Sequence, residues 1–384
     1  MRLLYITNNR FPNEKANGLQ IAKMCEAFLE AKINFTILVP ERKQTENVKT
    51  SDPQKFYKLR EKVPIKRLRC LDLLNHHWIP GPTAWYLQTL TFFLNFRLQR
   101  RRLITKDTLI YTRSAGILAF LGKRTPWFFE AHTFPKTRFG QIYQKWTLKK
   151  AAGLVCISEG IAKKYKRLAP NIPTIIAHDA VDLKLFSKLP SKDTARKKLK
   201  LPPKKPIVLY TGSPYEWKGV FTLAKATAKL PNVTTIFLGG RAQESDFKKL
   251  SVAAPHALCL PFVPHDMVPV YLAAADLLIL PNSARDPISR EDTSPLKLFE
   301  YLASGRPILA SRVPALQNVL TQKESFFFKP DNSKDLQTQI QKALNSSPTQ
   351  IQAKTKAAYQ KSQNHSWKKR TKQILNFMLK STYE

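Results

Sequence analysis

The sequence predicts an α/β protein made of two doubly wound domains, each with a mostly parallel sheet. Short apolar runs, typical of parallel strands buried on both faces, alternate with segments of helical periodicity along most of the chain. The chain has 384 residues, which is too long for one ordinary core and suits two domains. The pattern restarts after a basic, proline-rich stretch at residues 184–206, which is predicted to be the interdomain region.

The chain opens with a βαβ unit. Residues 3–7 are predicted to form a buried strand, residues 19–31 an amphipathic helix and residues 35–39 the next strand. Ligands bind beside the carboxyl ends of the strands in such units, and Gly18 lies at the entrance to the helix. Gly18 is therefore a candidate for close backbone approach to a phosphate or a sugar, although an ordinary helix-start residue is the favoured explanation.

A long helix rich in aromatic residues is predicted between residues 80 and 102. Its apolar part runs from Trp85 to Leu98, and arginines occupy residues 100–102. Cationic side chains suit a helix C-terminus, so a core helix with exposed arginines explains the pattern. A helix lying on a membrane surface also explains it. The core interpretation is favoured.

His132 follows a predicted strand of the first domain. The remaining strands of this domain are expected at residues 108–112, 127–130, 154–157 and 174–177, with helices at residues 141–150 and 159–168. An imidazole at the carboxyl edge of a parallel sheet lies where ligands collect, so His132 is a candidate catalytic residue. A hydrogen-bonded structural histidine is the alternative.

The second domain is predicted to open with a buried strand at residues 207–210. Later strands are expected at residues 235–238, 276–281, 308–311 and 326–328. Two closing helices are expected at residues 334–344 and about 350–380.

The segment from Asp292 to Gly305 reads as a loop that leads into a short helix. Ser294 is predicted to be the N-cap and Pro295 the first helical residue, where its missing N–H would be unsatisfied anyway. Gly305 is expected to end the helix.

One polar stripe runs along this otherwise apolar helix, formed by Lys297, Glu300 and Ser304. A helix N-terminus offers free backbone N–H groups and partial positive charge, so it forms an anion site. Lys297 in the first turn is unfavourable for the helix dipole unless something negative binds there. A Lys297–Glu300 pair on a solvated face is the alternative explanation.

The formal net charge of +37 predicts attraction to polyanions, such as anionic lipid headgroups, phosphorylated glycolipids or nucleic acid. The lysines and arginines are spread over the whole chain, and no recognised nucleic-acid motif accompanies them. Nucleic acid is therefore not an expected partner, whereas an anionic membrane surface is a candidate.

The four cysteines lie far apart, without a Cys-x-x-Cys pair, which argues against a zinc site and for a reducing compartment. Cys156 and Cys259 lie in apolar runs and are predicted to be buried thiols. The amino-terminal residues read as a strand rather than a signal peptide, and the stretch at residues 85–98 is too short to span a bilayer. A cytoplasmic location is expected.

The residues around Glu300 resemble the donor-site motif of retaining glycosyltransferases of family 4, which have the GT-B fold. The matching sequence is Ser-Pro-Leu-Lys-Leu-Phe-Glu-Tyr at residues 294–301, followed by Ala-Ser-Gly at residues 303–305. This family carries two acidic residues separated by seven others, which here are Asp292 and Glu300, although the first is usually glutamate. The resemblance implies that Glu300 holds the donor ribose hydroxyls and that Asp292 helps to hold the transferred sugar.

Residues 211–219 carry a second signature similar to that family. The resemblance implies that the turn at Gly212 lets a diphosphate approach the backbone and that Lys218 meets its charge. The family often has arginine where Ser213 stands, so one of the usual two cations is absent, and Lys297 is the candidate to compensate.

The same resemblance implies the remaining roles. His132, Asp292 and Lys218 are the expected catalytic residues. The expected donor-binding residues are Gly18, Gly212, Ser213, Lys218, Phe262, Val263, Asp292, Ser294, Pro295, Leu296, Lys297 and Glu300, with the nucleotide base against the loop of Phe262 and Val263.

The resemblance further implies two Rossmann-like domains that face a central cleft. Residues 1–183, joined by a terminal helix at about residues 367–384, would form the acceptor domain, and residues 184–366 the donor domain. The expected reaction moves a hexose-type sugar from a nucleotide-sugar to a glycan or lipid-linked acceptor, with retention and without a metal or other cofactor. Lipopolysaccharide or another cell-envelope glycan is the hypothesised product, made at the inner face of the cytoplasmic membrane.

Two other classes of function remain open at this point. One is a non-catalytic, polyanion-binding protein on the same scaffold, and the other is a nucleotide-sugar epimerase. Binding of a nucleotide-sugar would distinguish a transferase from the polyanion-binding protein. Analysis of the products would distinguish a transferase from an epimerase.

Overall fold

A computed structural model describes residues 1–45, 48, 50–74, 79–241 and 245–383. The chain divides into two compact units. The N-terminal unit comprises Met1–Ile157, Ile161–Ala177 and Trp367–Glu384, and the C-terminal unit comprises Ser158–Gly160 and His178–Ser366. Each unit contains its own parallel sheet.

The sheet of the N-terminal unit has seven strands, all parallel, in the order β3-β2-β1-β4-β5-β6-β7. They are β1 (Arg2–Ile6), β2 (Phe35–Glu41), β3 (Ile65–Arg69), β4 (Thr108–Thr112), β5 (Trp127–Ala131), β6 (Gly153–Cys156) and β7 (Thr174–Ile176). The sequence analysis did not predict β3. Charged side chains interrupt the apolar ones along this edge strand, and only Leu68 is fully buried. The strand therefore lacks the apolar run of a central strand.

The helices of this unit are α1 (Ala16–Glu30), α2 (Pro53–Tyr57), α3 (Gly81–Leu103), α4 (Leu118–Leu121), α5 (Arg138–Leu148), α6 (Glu159–Leu168), whose first two residues belong to the C-terminal unit, and the terminal helix α16 (Trp367–Tyr383). Right-handed crossovers place α3, α4 and α5 on one face of the sheet, because each leads to a strand further along the same direction. On the other face α16 packs beside α1 and against the sheet, where the rings of Phe377 and Phe128 lie 5.8 Å apart.

Helix α3 buries one of its faces and exposes another. Phe92, Phe93 and Phe96 are fully buried in the core above the sheet, as expected for a core helix. Leu94 and Leu98 point the other way and are exposed, Leu98 to 84%. The core interpretation is therefore correct for one face only.

The sheet of the C-terminal unit has six parallel strands in the order β10-β9-β8-β11-β12-β13. They are β8 (Ile207–Thr211), β9 (Thr234–Leu238), β10 (Leu258–Leu260), β11 (Leu277–Leu280), β12 (Ile308–Ser311) and β13 (Ser325–Phe328). The strand order reverses between β8 and β11, and ligands of such sheets bind outside the carboxyl ends at this point.

The helices of the C-terminal unit are α7 (Leu183–Phe186), α8 (Lys192–Leu199), α9 (Val220–Thr227), α10 (Ser245–Ala253), α11 (Val268–Ala274), α12 (Leu296–Ala303), α13 (Pro314–Gln317), α14 (Ser333–Leu344) and α15 (Pro348–Ser362). The stretch at residues 184–206, predicted to be the interdomain region, falls within this unit, and α8 together with most of α7 makes up about half of it.

The closing helix predicted at about residues 350–380 is broken into α15 and α16. The break is held by the backbone, because the N–H of Val181 donates to the carbonyl of His365 over 2.9 Å and Val181 also bridges to Ser366. The family resemblance implied a separate terminal helix at about residues 367–384, which matches α16, whereas helical periodicity alone ran through the break.

All four cysteines are free thiols. Cys25 and Cys156 are buried, whereas Cys259 is only half-buried because it lies on the edge strand β10, contrary to the prediction that it is buried. Within the described ranges, none of the helices combines the length and apolar character needed to cross a bilayer.

A buried arginine fastens α8 to the start of the second sheet. Arg196 donates to the carbonyls of Ala274 and Pro203 over 3.0 and 2.7 Å and pairs with the carboxylate of Asp276. That carboxylate also accepts the backbone N–H of Ile207, the first residue of β8, over 2.7 Å.

We expect Arg196→Ala to lower the free energy of unfolding by about 2–3 kcal/mol, because it removes a buried donor from two carbonyls and a carboxylate. The shift of the chemical-denaturation midpoint measures this loss. Lys197→Ala, at the exposed neighbouring position, is the control and should shift the midpoint little. Equal midpoints for the two variants would contradict the assigned role.

Candidate functional site

The loop after β8 folds tightly over the carboxyl end of the second sheet. Gly219, the N-cap residue of α9, has a φ of 75°, and a Cβ at this position would lie 1.9 Å from the carbonyl oxygen of Pro281. Gly212 has a φ of 119°, another conformation that favours glycine. The two glycines hold residues 212–219 across the ends of β8 and β11, at the point where the strand order reverses.

The loops after β9 and β10 lie beside this one. The N–H of Phe262 donates to the carbonyl of Gly240 over 2.8 Å, and a Cβ on Gly239 would lie 3.0 Å from the carbonyl carbon of Gly212. The phenyl ring of Phe262 is exposed, whereas Val263 packs partly against the core. The predicted base-binding residues are therefore next to the predicted diphosphate turn.

Helix α12 begins one residue later than predicted, and its N-cap is Pro295 rather than Ser294. The hydroxyl of Ser294 is used elsewhere, because it accepts the backbone N–H of Asp179 over 2.9 Å. Pro295 provides no side-chain cap. The first turn of α12, which starts with Leu296 and Lys297, is therefore left without a capping side chain.

Lys297 lies in this first turn with its ammonium group buried. Nζ stands 3.7 Å from the ring centre of Tyr210 in β8, and it has no hydrogen-bond partner among the described residues. Burial, with a further contribution from the charge of Lys218, holds the pKa of Lys297 well below its usual range, and the charge of Glu300 offsets this in part. An ammonium group in such a place needs an anion to complete its surroundings.

Lys218 is the second cation of the site. Burial lowers the pKa of its ammonium group to about 8. Nζ lies 4.9 Å from the ring centre of Tyr215 and 5.2 Å from that of Trp217, so aromatic faces support the charge on one side. The loop after β8 and the start of α12 thus bring two partly desolvated ammonium groups together.

Glu300 is buried one turn further along α12 and faces His265. Its Oε1 lies 2.7 Å from Nε2 of His265, a residue to which the sequence analysis gave no role. Since a carboxylate can only accept, the facing imidazole nitrogen carries a proton. The alternative explanation of Lys297 and Glu300 as a solvated surface pair is wrong, because Glu300 and the Lys297 ammonium are buried and Glu300 bonds to His265.

Asp292 is buried at the end of a short π-helical turn, Ile288–Asp292. Its carbonyl accepts the hydroxyl of Ser158 over 2.8 Å, and a Cβ on Gly160 would lie 2.2 Å from the carbonyl oxygen of Glu291. Residues 158–160 therefore fix the loop that carries Asp292 before α12 begins.

Ser213 stands where the family often has an arginine, and it contributes to the site through its backbone carbonyl rather than through a charged side chain. Its carbonyl accepts the hydroxyl of Tyr210 over 3.0 Å, which positions the ring beneath Lys297. Sequence reasoning missed Tyr210, because an aromatic residue within a buried strand looks like ordinary core.

His132 lies in the N-terminal unit, in a network built around the fully buried Glu130. Oε1 of Glu130 lies 2.6 Å from His132 Nε2 and 3.0 Å from an Arg370 nitrogen on α16, and it accepts from Gln20 over 2.8 Å. Tyr111 donates to the other carboxylate oxygen. Glu130 and Arg370 were missed, since neither the strand nor the terminal helix shows that they meet.

The network keeps this carboxylate ionised and this imidazole neutral. Burial alone would raise the pKa of Glu130, but the charges of Arg370 and His132 and the hydrogen bonds it accepts hold its pKa at about 2. Burial and the nearby charge of Arg113 lower the pKa of His132 to about 4. Nε2 of the neutral imidazole then carries the proton that faces Glu130, which leaves the Nδ1 lone pair as an acceptor.

Gly18 is explained by packing within the same unit. A Cβ at this position would lie 2.2 Å from the hydroxyl of Tyr57 and 2.6 Å from Oδ1 of Asn13. Within the protein, the tyrosine hydroxyl thus leaves room only for glycine here, and the approach of a phosphate or sugar to Gly18 stays a prediction.

The described residues contain no group of three or more histidine, cysteine, aspartate or glutamate side chains placed to hold a metal ion. The site of the C-terminal unit combines Lys218, Lys297, a helix start, Glu300 and His265. Such a set suits an anion that is linked to hydroxyl-bearing groups.

Two parallel-sheet, Rossmann-like α/β domains of this kind define the GT-B fold. Sucrose-phosphate synthase from Thermosynechococcus elongatus has this architecture, with a TM-score of 0.78 at 19% identity over 99% of this chain and 98% of that chain. HepE from Anabaena, solved in complex with UDP-glucose, aligns with a TM-score of 0.73 at 15% identity over 99% and 100% of the two chains.

Residues 191–361, which include Lys218, Lys297 and Glu300, match the family described as "Glycosyl transferases group 1". The sulfoquinovosyl transferase SQD2 of Arabidopsis thaliana is 25% identical over 178 residues, which is 45% of this chain and 33% of the relative. A processive diacylglycerol alpha-glucosyltransferase of Acholeplasma laidlawii is 24% identical over 184 residues, 47% of this chain and 53% of the relative. The chain therefore spans about a third to a half of these relatives' length.

We expect Arg370→Met to raise the pKa of both Glu130 and His132, because the guanidinium lowers both values. It should also cost about 3–5 kcal/mol of unfolding free energy, since Glu130 is left buried without its cation. NMR titration of the His132 ring measures the first effect and chemical denaturation the second.

Lys368→Met, two residues away on the exposed side of α16, is the matched control and should change neither value. An unchanged His132 titration in Arg370→Met would show that the network does not set the state of the imidazole.

Proposed function

We propose that this protein is a retaining glycosyltransferase that moves a hexose-type sugar from a nucleotide-sugar donor to a glycan or lipid-linked acceptor. The observation that carries the proposal is the buried Lys297 ammonium, which lacks a hydrogen-bond partner among the described residues and lies near Lys218 at an uncapped helix start. A diphosphate supplies the negative charge that this arrangement lacks.

The chemistry of transfer fits these groups. When the glycosidic bond to the donor diphosphate breaks, the bonding electrons leave with the diphosphate, and negative charge grows on its oxygen. Lys218, Lys297 and the N–H groups at the start of α12 stabilise that charge in place, without reorganising as the bond breaks. We therefore propose that transfer needs no metal ion, because these cations occupy the role that a metal would have.

Glu300 and His265 are proposed to hold the nucleoside part of the donor. A buried carboxylate accepts hydrogen bonds from the two ribose hydroxyls, and His265 keeps Glu300 oriented. The base then lies against the exposed ring of Phe262 and beside Val263. Asp292 is proposed to bind the transferred sugar.

His132 is proposed to act at the point of transfer as a neutral hydrogen-bond acceptor. Its lowered pKa keeps the imidazole uncharged at neutral pH, so it binds a sugar hydroxyl rather than an anion. Retention is proposed to follow from front-side attack by the acceptor hydroxyl, whose proton passes to the departing diphosphate oxygen.

A lipid-linked acceptor is proposed, such as a precursor of lipopolysaccharide or of another cell-envelope glycan. The net charge of +37 favours an acceptor that lies among anionic headgroups, and one relative is named as a diacylglycerol glucosyltransferase. The proposed place of action is the cytoplasmic face of the membrane.

Donor binding should take up protons near pH 8. The pKa of Lys218 is about 8 in the free protein, and a bound diphosphate raises it, because the anion favours the ammonium form. Affinity for UDP-glucose is therefore expected to be greatest below pH 8 and to fall as the pH rises through that value. Calorimetry at pH 8 in buffers of different ionisation enthalpy should show that Lys218 takes up roughly half a proton when the donor binds.

Lys218→Arg is the control for this titration, because arginine stays charged and should remove that part of the uptake. Proton release on binding, or affinity that rises with pH, would contradict the proposed contact.

The direct test of function combines donor binding with product analysis. We expect Lys218→Ala and Glu300→Ala each to cost about 2–3 kcal/mol of donor or transition-state stabilisation, a loss of roughly 30- to 150-fold. A thermal-shift screen against UDP-, GDP-, ADP- and CMP-sugars identifies the donor, and transfer to a lipid acceptor is then measured. Lys229→Ala, an exposed lysine of the same unit, should leave both unchanged.

Sugar transfer that survives both site substitutions would end the proposal. Salt-sensitive polyanion binding without any donor shift would favour the non-catalytic alternative. An altered donor sugar without transfer would favour an epimerase.

A further inference from the structure

The outer side of α3 carries a row of exposed apolar side chains. Tyr86, Leu90, Leu94 and Leu98 recur every four residues along the helix, and Leu87 lies beside the row. Thirteen residues of helix make this row about 18 Å long. Leucines this exposed, in a row rather than singly, are unusual on the surface of a soluble domain.

A second apolar row lies on α5. Phe139, Ile142 and Trp146 are exposed at positions i, i+3 and i+7, and Phe139 is 81% exposed. The opposite side of the same helix is buried through Thr147 and Leu148. Each helix therefore has two apolar sides: one is buried in the core and the other is exposed.

The two helices belong to one face of the N-terminal unit. The segment around α4 lies between them, because the rings of Phe93 in α3 and Phe120 in α4 are 5.7 Å apart. On its other side, the hydroxyl of Tyr143 in α5 donates to the carbonyls of Ala115 and Gly116 over 3.1 Å. We call the exposed sides of α3 and α5 together the α3–α5 surface.

This surface is edged by positive charge. Residues 81–150 contain thirteen lysines and arginines but only two acidic residues, Asp107 and the buried Glu130. Arg97 and Arg101 are exposed beside Leu98 on α3, and Lys145 is exposed beside Trp146 on α5.

We propose that the α3–α5 surface docks on an anionic lipid bilayer, with its apolar side chains among the acyl chains at the headgroup boundary and its cations on the headgroups. A helix side with leucine and aromatic residues flanked by lysine and arginine is suited to this interface. The long basic side chains can reach the headgroups while their stems stay in apolar surroundings.

A second copy of the chain is a poorer occupant. A two-fold symmetric contact would place the same positively charged surface against itself, and no acidic side chain on it would compensate. An anionic bilayer is complementary in both respects, since it offers negative charge at the edge and hydrocarbon beneath. The docking depends on none of the sugar-transfer residues, so it stands or falls separately from the proposed function.

The experiment is flotation of the full-length protein with vesicles of phosphatidylcholine, alone or with about one-third phosphatidylglycerol. We expect binding to the anionic vesicles that weakens as salt is added, and little binding to the neutral ones. No flotation with anionic vesicles at low salt would overturn the proposal.

The apolar contact is tested by the triple variant Leu90→Ser, Leu94→Ser, Leu98→Ser, which should lose about tenfold or more of its affinity for anionic vesicles. Val252→Ser, at an apolar position of the C-terminal unit that is as exposed as Leu98, should bind as the unmodified protein does. Circular dichroism checks that both variants fold. An unchanged affinity of the triple variant would overturn docking through these leucines.

The charge contribution is tested by Arg97→Gln with Arg101→Gln, which should lower the affinity for anionic vesicles roughly tenfold. Lys229→Gln with Lys248→Gln removes the same charge from exposed positions of the C-terminal unit and should have a much smaller effect. Equal losses in the two pairs would show that only the overall charge matters and would contradict the assigned surface.

Quenching by brominated lipids provides an independent readout of insertion. Trp146→Phe should reduce the quenched fraction of the tryptophan fluorescence, because the indole ring of Trp146 is among the groups placed in the bilayer. Sedimentation of the protein as a dimer that Leu94→Ser dissociates would instead assign the surface to a second copy and reject the lipid proposal.

Discussion

The site of the C-terminal unit depends on one constraint: the ammonium group of Lys297 is buried without a hydrogen-bonded anion among the described residues. Lys297 lies against the ring of Tyr210, within reach of the charge of Lys218 and only partly compensated by Glu300. Burying an uncompensated charge is costly, and proteins usually avoid it by pairing or by a lowered pKa. Here burial lowers the pKa of Lys297, and the missing charge is what we propose that a bound diphosphate supplies.

The surrounding fold keeps that arrangement from relaxing. The backbone N–H of Thr211 donates to the hydroxyl of Tyr301 over 2.8 Å, which ties the end of β8 to α12 and so fixes Lys297 over Tyr210. Gly219 leaves no space for a side chain beneath the loop that carries Lys218. The hydroxyl of Ser294 is engaged by Asp179, so it cannot cap α12 and the first turn stays open. Each of these contacts maintains a positive site at the end of the sheet.

Sequence reasoning reached most of the fold because buried parallel strands and amphipathic helices have distinct periods. It missed the charged edge strand β3, and periodicity alone ran the closing helix through the break before α16, where only the family resemblance implied that a separate helix begins. Spacing along α12 identified Lys297 and Glu300, but not His265, which meets Glu300 across 35 positions of the chain. The partnership of Glu130 with Arg370 spans 240 positions, and no local pattern records it.

The central claim is that the Lys297 ammonium forms an ion pair with the diphosphate of the donor when the donor binds. The most direct measurement is an NMR titration of Lys297, with Nζ detected in the free protein and in the presence of saturating nucleotide-sugar. The account predicts a pKa well below the usual lysine range in the free protein and a marked rise on donor binding. A Lys297 pKa that is already normal without ligand, or one that the donor leaves unchanged, would contradict it.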